Sequence, residues 1–557
     1  MKRTCLYLLL LGSTSGLVAQ TLHNGISLPA QWPPRRPIPT VAQEMPVPYL
    51  DNKPNVIPIN TGRQLFVDNY LISETNLVPI YHTPNYYAGN PVLEPNQEWE
   101  KTIEGAPYAA PFSDGIWYDE KDGKFKMWYL AGAGSIHKDE KQTFYTCYAE
   151  SEDGKSWKKV NQDIVPGTNI VDTCNRDAAT IWLDREEKEP NKRWKFFNIE
   201  RRPGDRRWQV VLKYSADGIH WSKGVAQSGD QGDRTTAFYN PFTRKWALSM
   251  RAGTPVSSRS RYYIEHEDPE MLVSLAHRIR KDADDKHIVF WFTPDDKELR
   301  HEKYPEVEPG IYNFDAIPYE SIMLGLYSAW AGPENRVCAE NGIQKRNIIS
   351  LGYSRDGFHF ARPTHQPFMN VNETEGAWNW GNMQSINGTP LIIGDSLYFY
   401  ASGRRLNKIM WDSYTSTGLA TLRRDGFVSM QAGKDEGYLT TEKLSFDGKY
   451  LFVNADVDGE KAVLYVEVLD ENKEPIPGFT KDECKPIKRS DSTKTLVTWK
   501  NHNDLGSLAG KNIHLKFYLT DGDLYAFWIS PWESGESRGY TSGGGPGLHA
   551  SGMDLKQ

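Results

Sequence analysis

Four short segments of this chain carry nearly the same signature: Ser151-Glu-Asp153-Gly154-Lys-Ser-Trp157, Ser215-Ala-Asp217-Gly218-Ile-His-Trp221, Ser354-Arg-Asp356-Gly357-Phe-His-Phe360 and Arg424-Asp425-Gly426-Phe427. Their aspartates stand 64, 139 and 69 residues apart. The middle gap is twice the others, which places a decayed copy between them, near Thr293-Pro-Asp-Asp296. The chain therefore reads as five units of about 65–70 residues, and a repeated supersecondary unit must stack or close on its neighbours to bury a core. Units rich in strand residues, about four strands each, point to an all-β fold closed as a five-bladed β-propeller.

Hairpins can be placed within the units. Residues 114–119 pair with 124–129 across Lys121-Asp122-Gly123, and 177–184 and 193–197 repeat the pattern. Residues 233–240 with 245–250 form the third unit, 319–327 belong to the fourth, and 386–393 with 396–400 to the fifth. The charged stretch 268–285 reads as a helical insertion in the third unit. After residue 424, short alternating strands predict a β-sandwich over 425–530. The Gly-rich tail 531–557 is expected to be mobile. Residues 21–60 hold nine prolines and should run extended ahead of the propeller, which is assigned to 61–424.

Residues 1–20 have the make-up of a signal peptide: Lys2 and Arg3, an apolar run from Leu6 to Leu11, then small residues. The expected location is the periplasm or the exterior. No later stretch is apolar enough to span a membrane. The net charge of −7 has no basic stripe, so no nucleic-acid partner is expected. Cys147, Cys174, Cys338 and Cys484 lack metal-ligand spacing and are read as buried thiols, with no cofactor or metal expected. His137, His220 and His359 also lack it. The oligomeric state is left open.

First strands of propeller blades line the axis, so polar residues there are site candidates. Aligning the second and third units sets Asp177 opposite Asp233, with Arg176 and Arg234 beside them, and Asp114 begins the corresponding strand of the first unit. Glu320 falls in an apolar stretch, where an unpaired carboxylate is costly. Converging carboxylates suit glycoside hydrolysis, which needs one raised-pKa acid and one ionised partner. On that logic Glu320 is the acid, and Asp177 or Asp233 the base or nucleophile. Arginine is dense in the 201–207 segment and at Arg234, Arg251, Arg404 and Arg405, and guanidinium forks suit carboxylate or sulfate groups. The candidate sugar contacts are Arg176, Arg234, Arg251, Arg404, Glu104 and Trp380.

Five units with a trailing sandwich resemble the propeller glycoside hydrolases of the invertase, levanase and arabinanase group, and Asn175-Arg-Asp177 resembles that group's Arg-Asp element. The resemblance implies three acids on different blades acting as nucleophile or base, pKa modulator and acid. The aspartate-glycine turns resemble sialidase Asp-boxes, which are structural, so Asp153, Asp217, Asp356 and Asp425 are not site residues. The Trp-x-x-Asp-Pro-Asn-Gly start of invertases is absent. The expected function is an exported, exo-acting glycoside hydrolase on oligosaccharides of an acidic polysaccharide, the substrate carrying a uronate or unsaturated uronate. The alternatives are a non-catalytic carbohydrate-binding propeller and, third, a propeller lyase.

Overall fold

The computed structural model describes residues 20–101, 107–133, 143–202, 204, 207–279, 285–386, 388–405 and 415–557. The expected signal sequence, Glu104, His137 and Arg206 lie outside them. The fold is all-β. Among the described residues its α-helices are short, and one of them, Pro269–Leu275, lies inside the stretch expected to be helical.

Five groups of mostly antiparallel strands, labelled sheets I to V, follow one another along the chain, and I and V are joined into one ten-stranded sheet by a parallel pairing of Tyr108 with Thr415. Sheet I contains Pro107–Ala110 and Ile116–Asp119, then Lys124–Ala133, Thr143–Ser151 and Ile170–Asp172. Sheet II runs Arg176–Leu183, Trp194–Arg201, Trp208–Ser215, Ala226–Gln227; sheet III runs Thr236–Asn240, Lys245–Ala252, Ser260–His266, Val289–Phe292. Sheet IV is Gly310–Glu320, Ile322–Gly332 and Arg346–Ser354. Sheet V is Asn382–Ile386 with Leu391–Ile393, then Ser396–Arg404 and Thr415–Arg423, and its outer strand is Asn85–Tyr86, from the chain ahead of sheet I.

Hydrogen bonds link these sheets in a cycle. Ile181 N–H donates to Asp114 O (2.5 Å), Ala237 N–H to Thr180 Oγ1 (3.1 Å) and Thr236 Oγ1 to Phe314 O (2.8 Å). Ser328 Oγ then donates to Gln384 O (2.6 Å), and Phe112 N–H to Ser402 Oγ (2.9 Å), which returns to sheet I.

The repeated turn is a latch between neighbouring sheets. In the 151, 215 and 354 copies the serine Oγ accepts the glycine N–H, and the aspartate Oδ1 accepts two further backbone N–H groups. An aromatic donor from the preceding sheet caps each turn: Tyr400 OH to Gly154 O, Trp128 Nε1 to Gly218 O (both 2.6 Å) and Trp291 Nε1 to Phe358 O (2.7 Å). Glycine is required because φ is about +70 to +80° at Gly154, Gly218 and Gly357, a region other residues reach only at a cost. At Gly218 a Cβ would also stand 2.4 Å from the Trp128 ring.

The decayed copy is not at 293–296. It is His266-Glu267-Asp268: Asp268 N–H donates to His266 Nδ1, and Asp268 Oδ1 accepts from Glu270 and Met271 N–H. Here Pro269 replaces glycine and the turn runs on into the helix. The fourth signature also differs. Asp425 is fully buried and binds Arg63 Nη1 at 2.8 Å and the Tyr319 hydroxyl at 2.6 Å.

Two further antiparallel sheets follow. One orders Ser490–Leu496, Tyr450–Val457, Gly522–Ser530, Val428–Ala432 and Val78–Tyr81, with Gln64–Leu65 at its side; the other orders Ile72–Thr75, Gly437–Thr441, His514–Thr520 and Val463–Leu469. Phe66, Phe517 and Phe527 meet between them, with Phe517 and Phe527 centroids 5.5 Å apart. Residues 64–81, expected among the repeats, thus pair with C-terminal strands instead.

The tail is packed, contrary to the expected mobility. Tyr540–Thr541 pairs with Tyr319 and Glu320, Gly543 O accepts Tyr118 N–H (2.8 Å) and Gly544 O accepts Ile392 N–H (2.9 Å). It therefore lies across the C-terminal ends of the first strands of sheets I, IV and V. A Cβ on Gly545 would stand 1.7 Å from Ile392 O, so the glycines are where the tail has no room for side chains.

Candidate functional site

The opposite ends of the same first strands gather the acids. Asp177 is the second residue of sheet II's first strand, and Asp233 lies just ahead of that of sheet III. Asp177 Oδ2 accepts Arg234 N–H at 3.0 Å and lies 3.4 Å from Arg234 Nε. Asp233 Oδ1 binds Arg251 Nη1. Burial pushes the Asp233 carboxyl up, but Arg251, Arg259 and Arg234 outweigh it and hold the group below the usual range. In both residues one carboxylate oxygen is held by arginine and the other has no partner among the described residues. Both side chains are partly open, 20% and 27% exposed, so a ligand can reach them.

Asp114 and Arg176 reach the same region but cannot touch a ligand. Both are fully enclosed, and Arg176 donates Nη1 and Nη2 to the two oxygens of Asp114 at 3.0 and 2.5 Å, and Nε to Thr146 Oγ1 at 2.7 Å. Burial pushes the Asp114 carboxyl up to about 7 despite the pull of Arg176. These two were expected as a catalytic acid and a sugar contact; complete burial makes them a buttress beneath the site.

Glu320 is not part of this group. It ends the first strand of sheet IV, in the hairpin turn before Ile322, with φ +49°. Its Oε1 accepts Arg424 Nη2 (3.0 Å), and its Oε2 accepts Ser537 Oγ (2.6 Å) and Arg63 N–H (3.1 Å). At about 3.3 Å per residue, the strand carries Glu320 roughly 25 Å beyond Tyr312, which lies near its start. It therefore does not stand with Asp177 and Asp233, as was expected of the acid. The apolar run 319–327, read as one strand, is a hairpin without a turn-forming glycine or proline.

The polar residues that gather near Arg234 from sheets III to V were mostly missed. Tyr312 is the hub. The guanidinium of Arg259 lies 4.4 Å from its ring centroid, Lys345 Nζ 5.2 Å and the Arg234 guanidinium 5.6 Å. Gln384 Nε2 donates to its hydroxyl at 3.2 Å, and Arg404 Nη2 donates to Gln384 Oε1 at 3.1 Å and to the Tyr108 hydroxyl. Arg404 and Arg234 both stand in the group around Tyr312, while Arg251 is committed to Asp233. Trp380 is buried beside Gly381, whose carbonyl accepts Lys345 N–H. Phe112 and Arg234 both hold left-handed backbone, φ +46° and +57°, with the Arg234 guanidinium 4.6 Å over the Phe112 ring.

Two acidic clusters elsewhere have the make-up of metal ligands, but each encloses a cation of its own. Lys213 Nζ lies 2.7 Å from both Asp172 and Glu200 beside Cys174, and Arg362 binds Asp295 and Glu298 beside His365. The four described cysteines are free thiols. Among the described residues no helix is long and apolar enough to cross a membrane.

No family model matches the chain, and no curated protein does. Among solved structures it is similar to a member of the GH130 family of mannoside phosphorylases, which contains glycoside hydrolases targeting β-1,2 mannosidic linkages in Candida mannan: 14% identity, 63% of this chain and 97% of that one, TM-score 0.38. It is also similar to a glycosyl hydrolase from Bacteroides ovatus, at 12% identity over 65% and 97% of the two chains with TM-score 0.39. A third similar structure is fructofuranosidase from Schwanniomyces occidentalis complexed with fructose, at 9% identity over 80% and 98% with TM-score 0.36.

Proposed function

We propose that the chain is an exported glycoside hydrolase that removes terminal residues from oligosaccharides bearing an acidic sugar, such as a uronate or unsaturated uronate. In this reading the five linked sheets are the blades of a β-propeller, the two C-terminal sheets form a β-sandwich, and the pocket lies on the propeller axis. One observation carries it: Asp177 and Asp233, at neighbouring strand starts, each present one uncommitted carboxylate oxygen.

Hydrolysis needs a proton delivered to the glycosidic oxygen and an ionised carboxylate that activates water or attacks the anomeric carbon. Asp233, kept ionised by Arg251 and Arg259, takes the second role. Asp177, held through Oδ2 with Oδ1 uncommitted, is the second carboxylate of the pair. Arg234 and Arg251 orient the two groups, and Asp114 with Arg176 supports the strand starts from below. The tail across the far strand ends supports a blind pocket, which suits removal of terminal residues. The cations around Tyr312 support an acidic substrate.

The test is sugar release by the purified full-length protein from uronate-rich oligosaccharides and from their carboxyl-reduced counterparts. Terminal residues should be released preferentially from the acidic series, and not by Asp233→Asn. Equal release from both would remove the acidic substrate. No release from either would refute the hydrolase and favour a carbohydrate-binding protein.

A further inference from the structure

Around Tyr312 there is more buried positive charge than the carboxylates match. Arg234 has Asp177 as its counter-ion and Arg251 has Asp233. Arg259, Lys345 and Arg404 stand within the same cluster and form no ion pair with a described residue. Arg234, Lys345 and Arg404 are only 6%, 8% and 4% exposed. Nη1 of Arg234, of Arg259 and of Arg404 is in each case enclosed without a hydrogen-bond partner among the described residues.

A buried charge without a partner is expensive, and a guanidinium N–H with nothing to donate to adds a desolvation cost. At the far end of the same strands the cations are matched: Arg63 and Arg424 also keep an unbonded Nε, but each is ion-paired to Glu320. The four cations of the Tyr312 cluster arrive from separate places. Arg234 precedes the first strand of sheet III, Arg259 its third, Lys345 the third strand of sheet IV, and Arg404 ends the Ser396–Arg404 strand of sheet V. Among the described residues no acceptor meets these free donors.

We propose that Arg234, Arg259, Lys345 and Arg404 form a subsite for an oxyanion with at least two acceptor oxygens. The shared chemistry is that of a carboxylate or sulfate group on the sugar, or of a free phosphate or sulfate ion. The subsite stands on the cations alone; its assignment to a substrate rests on the glycosidase reading above. Arginine forks would fix the plane of the anion, and Lys345 would add a point charge.

Lys345 also supplies a signature. Burial, then Arg259, Arg404 and Arg234, push its ammonium down to about 7, with the Cys338 thiol pulling the other way and the Tyr312 ring beside it. A bound oxyanion favours the charged form. At pH 8 anion binding should therefore take up a proton, and at pH 6, where Lys345 already carries it, binding should not.

The experiment is isothermal titration of the full-length protein with glucuronate, inorganic phosphate and sulfate at constant ionic strength. It is run at pH 6 and pH 8, in two buffers of different ionisation heat. The wild type should bind at least one of these anions, with proton uptake at pH 8 only. Arg404→Lys and Lys345→Met should each weaken binding about ten- to a hundredfold, the worth of a charge-assisted hydrogen bond. Tighter binding of glucuronate than of phosphate assigns the subsite to the substrate, and the reverse assigns it to a free ion. Absence of binding by the wild type overturns the proposal whatever the sugar-release assay gives, and needs no variant to fold. Binding without cleavage of any glycoside leaves the subsite standing and removes the glycosidase reading.

Discussion

Gly167 and Gly218 provide a matched pair for testing the latch between sheets. Both have φ +81°; a Cβ added at Gly167 would meet nothing within 4 Å, whereas at Gly218 it would meet Trp128 at 2.4 Å. Alanine at either position meets the left-handed backbone penalty, about 1–2 kcal/mol. At Gly218 the Trp128 ring must also move, which costs about 1–3 kcal/mol as overpacking. Its 2.6 Å indole hydrogen bond to Gly218 O is weakened at about 1 kcal/mol. Gly218→Ala should therefore lose about 2–4 kcal/mol more than Gly167→Ala. The assay is urea unfolding followed by tryptophan fluorescence, with amide exchange at the boundary of sheets I and II as a local probe. In a Trp128→Phe background, with the larger ring and its N–H gone, the excess should shrink. Equal losses in the two glycine variants would refute the argument that the ring, rather than the backbone, makes this glycine necessary.

Asp177→Asn and Asp233→Asn should each lower turnover by roughly 10²–10⁴-fold with unchanged unfolding midpoints, measured by steady-state kinetics. Glu320→Gln should do the reverse: leaving Arg424 and Arg63 short of a buried counter-charge costs about 3–5 kcal/mol, with turnover of the folded fraction preserved. Asp153 and Asp217 are held at about 2 because backbone N–H donors and the turn's side-chain donors outweigh burial. Their lowered pKa contributes stability that is present above about pH 4 and lost as pH falls towards 2, so melting temperatures should drop there and drop less in Asp217→Asn. Gly545→Ala, whose Cβ would overlap Ile392 O, should dislodge the tail and make it the first site of limited proteolysis.

What could be read from the chain follows the strength of local signals. The Ser-x-Asp-Gly turn is legible because backbone geometry and an aromatic neighbour both demand the glycine. Its third copy keeps the bonds to the aspartate, with His266 in place of serine, but loses the one that glycine N–H makes, because Pro269 has none, so the letters changed while most of the turn survived. Asp177 and Asp233 stand out in the chain because each lies seven residues before the end of a strand-like segment, at Asp184 and Asn240. Sheet IV was misread because its hairpin turn, Glu320-Ser321, carries no glycine or proline, so Glu320 was read as lying within one apolar strand. Arg259 and Lys345 lie in loops that follow no repeat. The strands at 64–65, 72–75 and 78–81 are too short to show alternation, and their partners lie more than 340 residues away.

The two ends of the first strands follow opposite electrostatic rules. At the end covered by the tail, both oxygens of Glu320 and of Asp425 are bonded, and Arg63 and Arg424 stand among Glu320, Asp425 and Asp554. That is what stability alone requires of charges out of water. At the other end, Arg259, Lys345 and Arg404 have no carboxylate partner among the described residues, and three guanidinium nitrogens donate to none of them. Left-handed backbone does not separate the two ends, since Phe112 and Arg234 hold it here and Glu320 and Asp425 hold it under the tail. The fold satisfies its charges at the tail end, so it is capable of matching them. Charge mismatch at the opposite end, around two half-committed carboxylates, is what a site looks like when its last partner is a ligand.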